Sequence, residues 1–299
     1  MMDFSKVTQW KIPQGDVVKV TDSQNRIIWQ KGSSPSPSPD YTEPFYVENI
    51  TNENETLSIV KSRSSAPTLA IEYSTDKSNW QTLGTTSTTA LSMTVAPGER
   101  TYLRCNTSRW GDNNNNYYNR IQGVSKVGGN IMSLLYGSNF TGQETSFPSG
   151  STYPYKWLFY ENTSLVEASE LLLPATTLAD ECYASMFRSC SALTSAPELP
   201  ATTLAQSCYS SMFGGCTSLT SAPALPATTL VDRCYSWMFG GCTSLSSGTC
   251  LATSGINTNN STVNWLNSVS STGTFTKAAG STWPEGASGI PSGWTVVEV

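Results

Sequence analysis

The side chains with most chemical potential in this sequence are its cysteines. Cys182, Cys208 and Cys234 recur at a spacing of 26 residues, and so do Cys190, Cys216 and Cys242. Thiols can ligate metals, form disulfides or act as nucleophiles. A structural metal site wants two ligand pairs at short spacing. Here the two cysteines of one unit lie eight residues apart, and the chain has no histidine. A ladder of small buried thiols fits that spacing best, with disulfides in an oxidising compartment as the alternative. The missing histidine also removes the commonest general base and the usual partner of a Ser or Cys nucleophile. Carboxylate-only chemistry of the glycosidase kind needs a flanking pair of acids, and nothing in the sequence points to one. The chain is therefore expected to be non-enzymatic, without cofactor or metal.

The most site-like loop begins at Ser108, Arg109 and Trp110 and runs through Gly111, Asp112 and four asparagines to Tyr117 and Tyr118. Trp and Tyr rings stack on sugars while Asn and Asp bond hydroxyls, a mixture suited to a site where few polar groups fix a ligand. Trp110, Asp112, Tyr117 and Tyr118 are the candidate ligand-binding residues. The alternative is a polar loop whose aromatics fold back onto their own domain. One carboxylate is too few for a calcium ion, which takes about 6–8 oxygens. Asn106, Asn162 and Asn260 each open an Asn-x-Ser/Thr triplet, a weak glycosylation motif.

Several elements must hold these residues. Charged residues make up only 13% of the chain, and 17 Lys plus Arg against 22 Asp plus Glu give a net charge of −5. With no basic run, nucleic acid and anionic membrane surfaces are not expected partners. No stretch of 18 apolar residues exists to span a membrane, and no apolar signal core is visible near the N-terminus. The chain is expected to stay in the cytoplasm where it is made until something else releases it.

Residues 1–31 carry Trp10 and Ile12, then two strand-like runs around Asp22-Ser23-Gln24-Asn25 that read as a β-hairpin ending in Ile28 and Trp29. A lone hairpin is marginal in water and needs a partner surface. It either packs on the next domain or docks on another protein. Residues 32–42 hold an alternating Ser-Pro stretch, which favours extended polyproline geometry and acts as a spacer. A module set apart by a stiff spacer favours docking, through Trp10, Ile12, Ile28 and Trp29. Residues 43–135 show about seven short strand-like runs punctuated by Asn, Gly, Pro and Ser, which predict an immunoglobulin-like β-sandwich.

The chain then repeats itself. Units starting at Leu173, Leu199 and Leu225 match their neighbours at 18 of 26 positions, so one unit is one structural element. An earlier, degenerate copy places Tyr155, Leu158, Phe159 and Leu165 in phase with Tyr183, Met186, Phe187 and Leu193. A period in the twenties lies in the leucine-rich-repeat range. Thr177 with Asp180, Thr203 with Gln206 and Thr229 with Asp232 look like capping boxes. Cys182, Tyr183, Met186, Phe187 and Cys190 then fall on one helical face. Stacking the units makes ladders of Leu178, Leu204 and Leu230, of Met186, Met212 and Met238, and of Phe187, Phe213 and Phe239. Each side chain contributes roughly 1.5–3 kcal/mol on full burial, mostly between nearest neighbours. The expectation is an α/β leucine-rich-repeat solenoid over 136–250, with a C-terminal cap over 251–299 that contains Trp265, Trp283 and Trp294.

The segment MFGGCTSLTSAP followed by LP resembles the BspA-like leucine-rich repeats of bacterial surface proteins, whose units carry a similar aromatic-x-Gly-Cys-x-x-Leu-Thr core. The likeness covers about residues 150–250. The units here are longer, and Ala, Ser and Thr occupy the strand positions. The C-terminal CLATSGINTNNSTVNWLNSV and GIPSGWTVVEV also look like endings of such proteins in gut Bacteroidetes and their phages. Cellular members of the family are exported adhesins. The resemblance, with the order of modules and no visible export signal, implies a head or tail fibre or decoration protein of a Bacteroides-infecting, crAss-like phage. Its residues 1–31 would meet a capsid or vertex protein. It would form a homo-oligomer and touch host-surface polysaccharide at the virion surface. A cell-surface adhesin is the alternative.

Overall fold

The computed structural model describes residues 39–62, 66–87, 89–111 and 118–299, together with the backbone of three strands nearer the N-terminus. The chain divides into two units, residues 1–40 with Val299, and Tyr41–Glu298. In the first, β1 (Thr8–Lys11), β2 (Val17–Thr21) and β3 (Ile27–Gln30) form an antiparallel sheet in that order. The expected hairpin is thus a three-stranded meander. The run around Trp10, expected only to precede it, pairs with β2, placing Trp10 opposite Lys19.

The second unit starts with eight short strands: β4 (Tyr46–Glu48), β5 (Glu55–Lys61), β6 (Ala70–Ser74), β7 (Gln81–Thr85), β8 (Leu91–Val95), β9 (Arg100–Cys105), β10 (Asn119–Gln122) and β11 (Lys126–Asn130). A three-stranded sheet has the order β10-β5-β8. In β5 the alternation of a half-buried strand puts Leu57 and Ile59 inside. The larger sheet runs β12-β11-β4-β9-β6-β7, and its β12 (Glu167–Leu172) pairs with β11 in parallel. An immunoglobulin sandwich is antiparallel throughout. The sheet here takes its edge strand from the first repeat copy instead, so the expected boundary between sandwich and repeats carries a hydrogen-bonded ladder. Glycine permits the close approach that brings β11 against β4. A Cβ on Gly129, at φ +72°, would sit 2.1 Å from the Pro44 carbonyl oxygen.

The expectation of helices in the repeats is overturned. Among the described residues the one α-helix is α1 (Ser133–Tyr136), and the repeat units are runs of tight turns. A left-handed residue recurs at every fourth position: Glu181, Ser185 and Ser189, then Ser207, Ser211 and Gly215, then Arg233, Trp237 and Gly241. No α-helix tolerates that. The backbone groups divide into two sets. Even-numbered amides close three-residue turns within a coil, as Met186 N–H does to Tyr183 C=O at 3.2 Å. Odd-numbered amides donate to the next coil: Tyr183 N–H to Cys208 C=O at 2.9 Å, Ser185 to Ser210 at 2.8 Å and Phe187 to Met212 at 2.8 Å. Each left-handed non-glycine residue costs roughly 1–2 kcal/mol. The cost is offset by bonds that leave no buried amide in the run without a partner, and by the packing they impose.

The supposed capping residues serve this stacking. The Asp180 carboxylate accepts the Gln206 amide of the next coil at 3.1 Å, and Thr177 forms a parallel bridge with Thr203. Five coils carry the same turn pattern, around residues 153–161, 181–189, 207–215, 233–241 and 260–268. Inside the stack, the rings of Phe159, Phe187, Phe213 and Phe239 lie 5.1, 5.4 and 5.5 Å apart. A second column runs through Tyr155, Tyr183, Tyr209 and Tyr235 to Trp265 and Trp283. Met186, Met212 and Met238 are fully buried, Leu178 and Leu230 are buried, and Leu204 is half-buried. Strands β13 (Ser247–Cys250), β14 (Gly273–Lys277) and β15 (Trp294–Glu298) close the far end as a parallel sheet. One hydrophobic core runs from Phe45 to Trp294 through sheets and coils alike. Among the described residues no helix is long and apolar enough to cross a membrane.

Candidate ligand-binding face

In each coil the left-handed residues fall outside the aromatic columns and recur as rows along the stack, with Trp157 and Ser185 buried, Ser211 half-buried and Trp237 exposed. One row reads Trp157, Ser185, Ser211, Trp237 and another Glu161, Ser189, Gly215, Gly241. Two adjoining clefts follow these rows. The first, about 420 Å³, is lined by Tyr118, Lys156, Trp157, Tyr160, Glu181, Ser185 and Arg188 among others. The second, about 520 Å³, is lined by Arg188, Ser211, Gly214, Gly215, Trp237 and Gly240 among others. Arg188 borders both.

The first cleft has an aromatic wall. Tyr118 packs on Trp157 at 5.0 Å and meets Tyr160 edge-on at 6.0 Å. Burial raises the Tyr118 phenol above its ordinary value, and burial with the Glu161 hydrogen bond does the same for Tyr160, so both stay neutral. Lys156 is buried, lies 4.3 Å from the Trp157 ring centre and is ion-paired with Glu181. Its charge is therefore already matched. Arg120 binds Glu161 at 3.0 Å. Arg188, by contrast, is exposed and makes no ion pair among the described residues. In the second cleft Trp237 is 44% exposed, the one exposed tryptophan among the described large hydrophobics. Its ring packs over Gly240, where a Cβ would come within 2.8 Å of Trp237 Cε3.

The residues singled out in the sequence are distributed as follows. Trp110 is fully buried, and its Nε1 donates to the Leu134 carbonyl at 3.0 Å, so it holds the loop base and presents no platform. Asp112 and Tyr117 lie outside the described residues. Tyr118 is half-buried and lines the first cleft. Trp10 lies in β1 and Ile28 and Trp29 in β3, while Ile12 lies outside the described residues. Asn162 is 1% exposed and so is closed to glycosylation. All eight cysteines are buried and unbridged. Burial pushes the thiols of Cys105, Cys190, Cys242 and Cys250 up to about 12, far from the lowered values of reactive thiols. Among the described residues no group of three or more His, Cys, Asp or Glu is gathered as a metal site.

Sequence reasoning missed Trp157, Tyr160, Arg188 and Trp237. The signal lay in departures from the repeat. Trp237 stands where the two preceding units have Ser185 and Ser211, and Arg188 where the two following units have Gly214 and Gly240. No family model matches the chain, nor does any curated protein or solved structure, so the likeness to BspA-like repeats rests on the motif residues alone.

Proposed function

We propose that this chain is a non-enzymatic display protein, a fibre or decoration protein of a virion that contacts host-surface glycan through the outer side of its coil stack. The observation that carries the reading is Trp237, held outward by a left-handed backbone and laid over a glycine, with its ring open beside a floor of Ser and Gly. Nothing in the local fold requires an exposed indole, and aromatic faces beside hydroxyls suit sugar rings. Two features support the display role. Residues 1–40 belong to a different unit from the coils, and the sequence of that unit ends in a Ser-Pro stretch. The stack is rigid along its length because every coil is bonded to the next, which suits an element that must project a binding face.

The test is binding of the purified chain to host capsular polysaccharide and to an oligosaccharide array, compared with Trp237→Ala. The reading predicts binding that falls at least tenfold in the variant, whose fold is checked by its melting temperature. Equal binding by both proteins would sink it. Labelling of purified particles with an antibody to the chain tests the virion part. Labelling of uninfected bacterial cells instead would favour the adhesin.

A further inference from the structure

We infer that the saccharide bound by this face is acidic, and that Arg188 clasps its carboxylate between the two aromatic groups. The inference rests on the reading of the face as glycan-binding and names its ligand class. Arg188 borders both clefts. The other cation of the first cleft, Lys156, is neutralised by Glu181 at its side. Arg188 therefore adds one positive charge without an ion-pair partner among the described residues to a trough whose other charged lining is the Lys156–Glu181 pair, on a chain whose net charge is −5. A planar guanidinium with five donors matches a carboxylate through two parallel hydrogen bonds, which a neutral sugar cannot offer.

The spacing sets the ligand size. Trp157 and Trp237 are three coils apart in one row, and the coils stack at 5.1, 5.4 and 5.5 Å measured on the phenylalanine column. That is the length of a short oligosaccharide, not of one ring. Tyr118 and Tyr160 would meet one end and Trp237 the other, with Ser185, Ser211 and the glycines between as a floor that leaves room for sugar hydroxyls. Arg188 lies along that path, one coil from Trp157 and two from Trp237, so the acid belongs nearer the Tyr118 end of the ligand.

Calorimetry on the full chain tests this with three probes: uronate trisaccharides of several configurations, the neutral trisaccharides made by reducing their carboxyl groups, and inorganic phosphate. The expected result is that at least one uronate trisaccharide binds about tenfold more tightly than its reduced partner, the effect of one charge-assisted pair at a partly exposed site. The preference should shrink at high salt. Arg188→Gln should bring the two affinities level, and Trp237→Ala should weaken both. Neutral sugars binding as tightly as their acids, or an acid preference that survives Arg188→Gln, would overturn the inference and leave the glycan reading standing. Phosphate binding as tightly as the uronates would also overturn it, as the mark of a bare anion site. Failure of every saccharide overturns both.

Discussion

The Cys216 thiol lies 3.1 Å from the Phe187 carbonyl oxygen of the preceding coil and donates a hydrogen bond to it. Cys190 makes the same bond to Phe159 and Cys242 to Phe213, each at 3.0 Å. That carbonyl already accepts a turn amide within its own coil, since the Cys190 amide bonds Phe187 C=O. The thiol uses the second lone pair and leaves an apolar surface to its neighbours. Serine carries a stronger dipole into the same apolar pocket. Cys216→Ser is expected to lower stability by about 1–3 kcal/mol, read as a fall in the denaturation midpoint. A variant as stable as the parent would show that the column needs only a small polar side chain.

The thiols also predict alkaline lability. Burial raises the folded values of Cys190, Cys242 and Cys250 to about 12 and that of Cys234 to about 11, against about 8.5 in an unfolded chain. A raised folded value means that the native state keeps its protons longer. The contribution to stability is thus complete below about pH 8.5 and is lost as pH climbs towards 11–12, by on the order of 1.4 kcal/mol per pH unit for each thiol. Urea midpoints measured from pH 8 to 10.5 should fall steeply, and less steeply in Cys234→Ala/Cys242→Ala. In parallel, alkylation at pH 8 should leave the native thiols untouched and modify all eight after denaturation. A flat alkaline profile, or native labelling, would contradict the burial of the column.

The repeat sequence disclosed which residues are inside and misled about the backbone that puts them there. Cys182, Tyr183, Met186, Phe187 and Cys190 follow a four-residue rhythm, which over two turns is hard to tell from the 3.6-residue period of a helix. The rhythm comes from left-handed residues at Glu181, Ser185 and Ser189. Glu and Ser carry no local signature for that conformation, so only the glycines at 215 and 241 hinted at it. Thr177 and Asp180 were legible as hydrogen-bonding residues, but their partners lie in the next coil, which no local motif encodes. The same limit applied to Trp110. A tryptophan in a polar loop looks like a platform until the Leu134 carbonyl that takes its N–H is known.

The aromatic columns join sheets and coils in one hydrophobic core, which is expected to unfold as one body. Phe213 is fully buried between Phe187 and Phe239, and the core reaches without a break to Phe45, whose ring lies 6.0 Å from Phe159. Phe213→Ala is expected to cost about 3–5 kcal/mol. Hydrogen exchange should speed up in β5 and β9 as well as in the coils, in a single transition. Loss of protection confined to residues 150–299 would show that the coils unfold on their own.

Gly240 offers a test of the binding face that touches no ligand. A Cβ there would meet the Trp237 ring at 2.8 Å and the Asn264 carbonyl oxygen at 3.3 Å, so the ring must give most. Gly240→Ala should therefore tilt the indole and weaken saccharide binding severalfold, while the melting temperature shifts by only a few degrees, as for a change of about 1 kcal/mol or less. Unchanged affinity would mean that the indole position does not matter to the ligand.

Part of the acidic limb of stability should come from Glu170, at the junction of coils and sheet. Burial works against its ionisation, but hydrogen bonds from Lys126 and from the Tyr46 hydroxyl outweigh it and hold its carboxyl below the usual range. These bonds tie β12 to β11 and β4, the junction between coils and sheet. A lowered folded value gives stability that is present above the unfolded value of about 4.3 and is lost as pH falls through the folded one. Thermal midpoints measured from pH 6 down to pH 2.5 should therefore drop. Glu170→Gln should start lower at pH 6 and drop less, because it no longer binds a proton on unfolding. An acid limb of the same slope in the variant would place the titrating groups elsewhere.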